Sequence, residues 1–327
     1  MDMDSSKLAR LLFFCVTIAW VLTGTAYAQE DLTKFPTRPI NFIVPFSAGG
    51  SADVGFRLLG KEAEKYLGQP IVIVNKAGAG GTIGISAIAS AKPDGYTIGH
   101  SPGQVLFVMS QLEKLPYDPI KDLTYIMQFV DIYFAVYVKG DSPFKSFEDL
   151  MAYGRKNQKK LIYGTNAPQS TAHVIMEYVT KKEGVQATHI PFRSSPEIQT
   201  AVMGGHIVAG VCDFQYSLVE AGEIRLLAFL GEKRSPEYPL VPTLKDFGYD
   251  FPNPSMLAVT GPKGMPPEIV KKLEGALSKA MKTPAVTNGL KELHLTPMYR
   301  NSEDFERYAV NTYNSFTKLL KETGFLK

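Results

Sequence analysis

Apolar and polar positions along the chain fall into short blocks that repeat as strand, glycine turn and helix. Ile40–Val44 is a first apolar run, closed by Pro45. After Phe46-Ser47-Ala48-Gly49-Gly50-Ser51, the residues Val54, Leu58, Leu59, Ala63 and Leu67 recur at helical spacing until Gly68 ends the pattern. Ser51 is the expected N-cap, and Asp53 sits in the first turn, where a carboxylate favours the helix dipole. Residues 71–74, all β-branched, start the unit again. Asn75 and Lys76 break that strand, and Gly78, Gly80 and Gly81 lead into an Ala/Ile-rich helix reaching about residue 91.

Two such units in succession predict parallel strands, because right-handed crossovers bring both turns to the same C-terminal sheet edge. Glycines there let the backbone turn tightly and leave N–H groups facing outward, and each helix dipole adds partial positive charge. An anion is the expected ligand. Each helix terminus contributes on the order of 0.3–2 kcal/mol and each charge-assisted hydrogen bond about 1.5–3 kcal/mol, enough together for a micromolar site without a cationic side chain. Gly78, Gly80 and Gly84 also spell GxGxxxG, a near miss to the dinucleotide fingerprint.

The alternation continues. Residues 96–100 read as a third strand, Ser101-Pro102-Gly103 opens a helix, and 115–122 is a Pro- and Asp-rich surface connection. Residues 124–130 and 132–138 read as consecutive strands, with the crossover to a second domain at the 139–143 turn. Helices at 147–156, 170–181, 196–203 and 216–221 then alternate with strands at 161–163, 188–191, 207–211 and 225–230. Residues 256–260 cross back, followed by helices at 266–282, opened by Pro266-Pro267, at 284–291 and at 303–321. This is an α/β fold with domain one at 36–135 plus 256–327, domain two at 136–255, and a ligand cleft between them.

Charge and motifs narrow the function rather than the fold. Lys7 and Arg10, the apolar run 11–22 and Thr25-Ala26-Tyr27-Ala28 read as an export signal peptide at 1–28, cleaved after Ala28. The run is shorter than the roughly 20 residues that span a bilayer. Residues 29–327 suffice for two α/β domains, and with Cys212 the one cysteine left no internal disulfide can form. The net charge of +3 is small and the basic residues are scattered, which argues against nucleic acid as a partner. An exported chain without a GxxxxGK[ST] motif has little use for ATP or a nicotinamide, so no cofactor is expected. GxSxG, HExxH and paired-cysteine motifs are absent, and His173 and His189 lack metal-ligand spacing; neither catalysis nor a metal site is expected.

PFSAGGSAD at 45–53, NKAGAGGTIG at 75–84, AKPDGYT at 91–97, LPYDPIKDL at 115–123, HIPF at 189–192, GEIRLLA at 222–228 and VPTLKDFG at 241–248 occur in that order. As a set they resemble the receptors of tripartite tricarboxylate transporters, also called Bug receptors, from about residue 35 to the C-terminus. The resemblance implies a periplasmic, monomeric solute-binding protein of the two-domain, type II periplasmic-binding-protein-like fold, with a hinge. Such a receptor closes on a small carboxylate (a di- or tricarboxylate, an aromatic acid or an acidic amino acid) and delivers it to membrane permease subunits. The same pocket would serve a receptor that presents its ligand to a sensor kinase. Carried over, the carboxylate pincer is Phe46, Ser47, Gly50, Ser51 and Asp53 from the first turn, with Ala79, Gly80, Gly81 and Thr82 from the second. Domain two contributes Gly164, Thr165, Ser170, His173, Arg193, Ser194 and Asp213.

Departures from the family pattern cluster in domain two. Arg193-Ser194 stands for Lys-Gly, Gly164-Thr165-Asn166 for Gly-Ser-Gly, and Ala209 for an acid, with Asp213 close by. They fall where the far end of the ligand is read. Ser51 and Thr82 are N-caps that either do or do not also touch ligand, and Asp53 is a helix acid or a contact. Arg193 is either a clamp for a second carboxylate through its bidentate fork or a member of a surface ion pair. Phe46 is either core or an apolar wall of the pocket, its position just past a strand end favouring the wall; His173 and His189 read better as structural hydrogen-bonding groups than as metal ligands, and Cys212 as a small buried residue.

Overall fold

The two repeated units fold as a parallel frame. In the computed structural model, which describes residues 34–327, β1 (Ile40–Val44) pairs in parallel with both β2 (Ile71–Asn75) and β3 (Thr97–His100). The helices α1 (Ser51–Leu67) and α2 (Thr82–Ala89) supply the crossovers. The expected signal peptide lies outside the described residues.

Three further strands complete this first sheet: β4 (Leu123–Asp131), β10 (Met256–Pro262) and β11 (Thr296–Arg300). Its order is β11-β4-β10-β3-β1-β2, mixed because β10 runs antiparallel to β3 and β4. A second sheet contains β5 (Ala135–Lys139), β6 (Ile162–Thr165), β7 (Thr188–Pro191), β8 (Ala209–Cys212) and β9 (Ile224–Phe229), in the order β7-β6-β8-β5-β9. It is served by α3 (Phe147–Lys156), α4 (Thr171–Lys182), α5 (Ser195–Met203) and the short α6 (Tyr216–Glu220). The helices α7 (Pro267–Ala280), α8 (Pro284–Glu292) and α9 (Ser302–Thr323) end the chain.

Two features differ from the sequence reading. The chain changes sheet at 132–134 rather than at the 139–143 turn, so β4 and β5 are consecutive in sequence but belong to different sheets. The edge strand β11 was not expected; it carries Pro297 and a half-exposed, alternating pattern that an edge tolerates.

The second change of sheet runs beside the first. Ile132 donates its N–H to the Ser255 carbonyl at 2.9 Å, and the Asn253 side chain donates to the Ile132 carbonyl at 3.3 Å. This pair of hydrogen-bonded crossings is the hinge of the two-domain, type II-like α/β fold. The helix α9 packs against β4 of one lobe and α4 of the other, with Lys182 and Glu322 paired at 2.8 Å. The apolar core is accordingly continuous from Tyr125 and Phe305 to Tyr163 and Val174, and Pro36–Lys327 packs as one unit although it holds two sheets. Among the described residues no helix is long and apolar enough to cross a membrane.

Candidate functional site

A cavity of about 650 Å³ opens between the two sheets, within the range small-molecule sites occupy. The first lobe lines it with Phe46, Gly50, Ser51, Asp53 and Gly80 from the two glycine turns and with His100 at the end of β3. The second lobe supplies Thr171 and, past the end of β8, Asp213, Phe214 and Tyr216. Ile132, Tyr133 and Phe134 come from the first hinge crossing, and Pro254 and Ser255 from the second. None of the described lining residues is a lysine or an arginine.

Backbone geometry at the two turns explains how an anion can rest there. Gly50 caps α1 without a side chain, so the N–H groups of Ser51 and Ala52 have no acceptor within the helix. The second turn holds four consecutive positive φ angles, at Gly78 (135°), Ala79 (44°), Gly80 (65°) and Gly81 (106°). Three glycines adopt this left-handed run freely, and Ala79 adopts it with strain. Ser51 and Thr82 are therefore first helical residues, not the N-caps expected; the caps are Gly50 and Gly81. The Thr82 hydroxyl secures the turn by donating to the Ala79 carbonyl at 2.9 Å.

The turns are tied to each other. Asp53 Oδ2 accepts from the Gly49 N–H and from Arg57 Nε, both at 2.9 Å. Asn75, at the end of β2, donates through Nδ2 to Asp53 Oδ1 at 2.8 Å and to the Phe46 carbonyl at 3.0 Å. Burial pushes the Asp53 pKa up, but the hydrogen bonds from Arg57, Gly49 and Asn75 outweigh it and hold the group at about 2. A Cβ on Gly84 would stand 2.6 Å from Pro45 Cβ, so this glycine lets α2 seat directly on the end of β1.

Phe46 forms a cavity wall over His100, their rings 5.9 Å apart, and His100 also packs against Phe56 at 4.9 Å. The His100 imidazole is almost fully buried, and its Nδ1–H donates to the Ala258 carbonyl at 3.0 Å. Burial depresses its pKa from 6.5 to about 4 despite that bond. The unfolded chain takes up a proton near pH 6.5 and the folded protein only near 4, so stability falls as pH drops through that window. The expected loss from His100 is on the order of 3 kcal/mol. His189, also depressed to about 4 by burial and by the charge of His173, adds in the same direction. Urea unfolding at stepped pH checks this: His100→Asn should flatten the decline between pH 6.5 and 4.5, and an unchanged slope refutes the assignment.

The remaining residues of the carried-over set divide by position. Ser47, Ala79, Gly81 and Thr82 belong to the two turns but do not line the cavity. Thr165, Ser170 and His173 lie behind the second lobe's wall, bonded to each other and to His189: Thr165 Oγ1 is 2.8 Å from His189 Nε2, and the two imidazoles stack at 3.6 Å. Gly164 is packed under Phe192. Arg193 is exposed and outside the lining, its N–H bonded to Glu197, while Ser194 caps α5 without a side-chain bond. Cys212 is buried as expected, 3.1 Å from the Tyr137 hydroxyl, and burial pushes its thiol up to about 12.

Sequence reasoning missed the aromatic lining. Phe214 follows a strand end just as Phe46 does, so the same positional logic was available for it. Tyr133 and Phe134 were read as strand residues, and His294, stacked on Tyr216 at 4.0 Å across the lobes, had no local signal.

Two sheets joined by paired crossings, with helix N-termini facing a cavity between them, define a two-lobed solute-binding protein. The chain belongs to the tripartite tricarboxylate transporter family receptors, whose family model (TctC) matches residues 55–325. Family members are periplasmic solute-binding receptors. The chain is 38% identical over 301 residues to a UPF0065 protein in the gbd 5' region of Cupriavidus necator, covering 92% of each chain. A TctC solute-binding protein from Polaromonas, solved without ligand, superposes with a TM-score of 0.80 at 28% identity, covering 88% of this chain and 99% of that one. R. palustris Rpa4515, solved with adipate, gives 0.74 at 29% identity, covering 89% and 98%.

Proposed function

We propose that this chain is an exported receptor, cleaved after Ala28, that captures a small carboxylate between its lobes and delivers it to a tripartite membrane permease. It performs no chemistry on that ligand. The observation that carries the reading is the meeting of two uncapped glycine turns at one end of a cavity of about 650 Å³, where backbone N–H groups and two helix dipoles favour an anion without a lysine or arginine. The adipate bound by Rpa4515 supports a carboxylate as the ligand class. The lobes that close are 36–131 with 256–327 and 135–252, turning about the crossings at 132–134 and 253–255.

Ligand should stabilise the folded protein by RT ln(1 + [L]/Kd), about 2.7 kcal/mol at a hundredfold excess over Kd. A thermal-unfolding screen of aliphatic and aromatic monocarboxylates, dicarboxylates, tricarboxylates and acidic amino acids reads this directly. A panel in which no member raises the midpoint defeats the carboxylate reading.

A further inference from the structure

We infer that the ligand is a monocarboxylate with an aromatic or apolar body, whose far end carries a neutral or cationic hydrogen-bond donor read by Asp213. This rests on the carboxylate reading above and deepens it to a ligand class. The groups suited to an anion lie on the glycine turns of the first lobe, where the lining carboxylate of Asp53 is paired with Arg57 at 2.9 Å. Across from them, past the end of β8, the second lobe presents an acid. Ser195 Oγ donates to Asp213 Oδ1 at 2.5 Å, and no lysine or arginine among the described residues forms an ion pair with this carboxylate.

A second carboxylate on the ligand would therefore approach a like charge with no counter-ion on the cavity wall. The N-terminus of α4 does reach the cavity at Thr171, and it contributes about half a positive charge. Asp213 contributes a full negative one, so the balance at this end disfavours an anion and favours a donor. Much of the rest of the wall is aromatic: Phe46, Phe134, Phe214 and Tyr216 line the cavity, with the Phe214 and Tyr216 rings tilted against each other at 4.9 Å. Such walls suit a flat apolar body better than a hydrated polyanion.

Terephthalate and terephthalamate, which differ only in a carboxylate replaced by a primary amide, isolate the far end. Calorimetric titration of the wild-type protein should give terephthalamate a Kd about tenfold or more below that of terephthalate. Asp213→Asn, which keeps the side-chain shape and an acceptor for Ser195, should cut that preference by about tenfold, chiefly by tightening terephthalate once the like charge is gone. Equal or tighter binding of terephthalate by the wild type overturns the inference, whatever the variant does. So does binding of adipate with no binding of either aromatic probe. If no carboxylate of any class binds, the carboxylate reading itself fails and takes this one with it; if carboxylates bind without the amide preference, this inference falls and the carboxylate reading stands.

Discussion

Gly80→Asp is expected to abolish carboxylate binding while leaving the protein folded, and Gly80→Asn to retain most of the affinity. Gly80 lines the cavity with φ 65° and ψ 10°, the left-handed region in which aspartate and asparagine are the best tolerated side chains. A Cβ there would meet only the flexible end of Met109, at 3.0 Å. Its neighbour Gly81 is a poorer probe. That residue is buried at φ 106°, so any side chain strains the backbone and mixes a folding defect with a binding one. An aspartate at 80 brings a like charge into the site, and two unit charges about 4 Å apart repel by about 4 kcal/mol at an effective dielectric near 20. That is roughly three orders of magnitude in Kd. Asparagine brings the same shape without the charge, and its cost should stay below about tenfold. Calorimetry on both variants, with their unfolding midpoints measured in parallel, separates charge from shape; undiminished affinity in the aspartate variant would remove the second turn from the anion site.

What the sequence made legible was local. Strand, glycine turn and helix are each encoded within a few residues, by β-branched runs, by glycines at left-handed positions and by apolar residues at helical spacing. The parallel pairing of β1 with β2 and β3 followed from crossover handedness. Sheet membership was not legible. Residues 124–130 and 132–138 look alike in composition, and what separates β4 from β5 is a hinge crossing held by Ser255 and Asn253, more than a hundred residues away in sequence. The cavity divides in the same way. Phe46, Gly50, Ser51 and Gly80 were readable because strand-end and helix-start positions announce themselves. His294 and Tyr216 meet only after both lobes have formed, and no local pattern reports that encounter. Asp53 was seen at the right place with its role left open.

The hydrogen bonds of Asp53 tie the two turns together, and Asp53→Ala should weaken both the fold and the ligand site. A first-turn acid acting only on the helix dipole is worth about 0.3–1 kcal/mol. Asp53 does more: its buried carboxylate accepts from the Gly49 N–H, from Asn75 Nδ2 and from Arg57, and a hydrogen bond to a charged group is worth about 1.5–3 kcal/mol net. A stability loss of about 2–4 kcal/mol is expected. The turn from Phe46 to Gly50 would also lose its tie to β2, and ordering even one released residue on binding costs about 1–2 kcal/mol, so Kd should rise about tenfold or more. The pH dependence has the same sense as that of His100 but lies in a lower window. The folded pKa of Asp53 is depressed from 3.8 to about 2, so its contribution is complete above pH 3.8 and is lost as pH falls through 2. The stability gap between wild type and Asp53→Ala should accordingly stay constant from pH 8 down to pH 5. Urea titrations across that range, paired with calorimetry, decide the point: a loss confined to the dipole range with unchanged affinity would make Asp53 a helix acid and leave the two turns to hold their spacing without it.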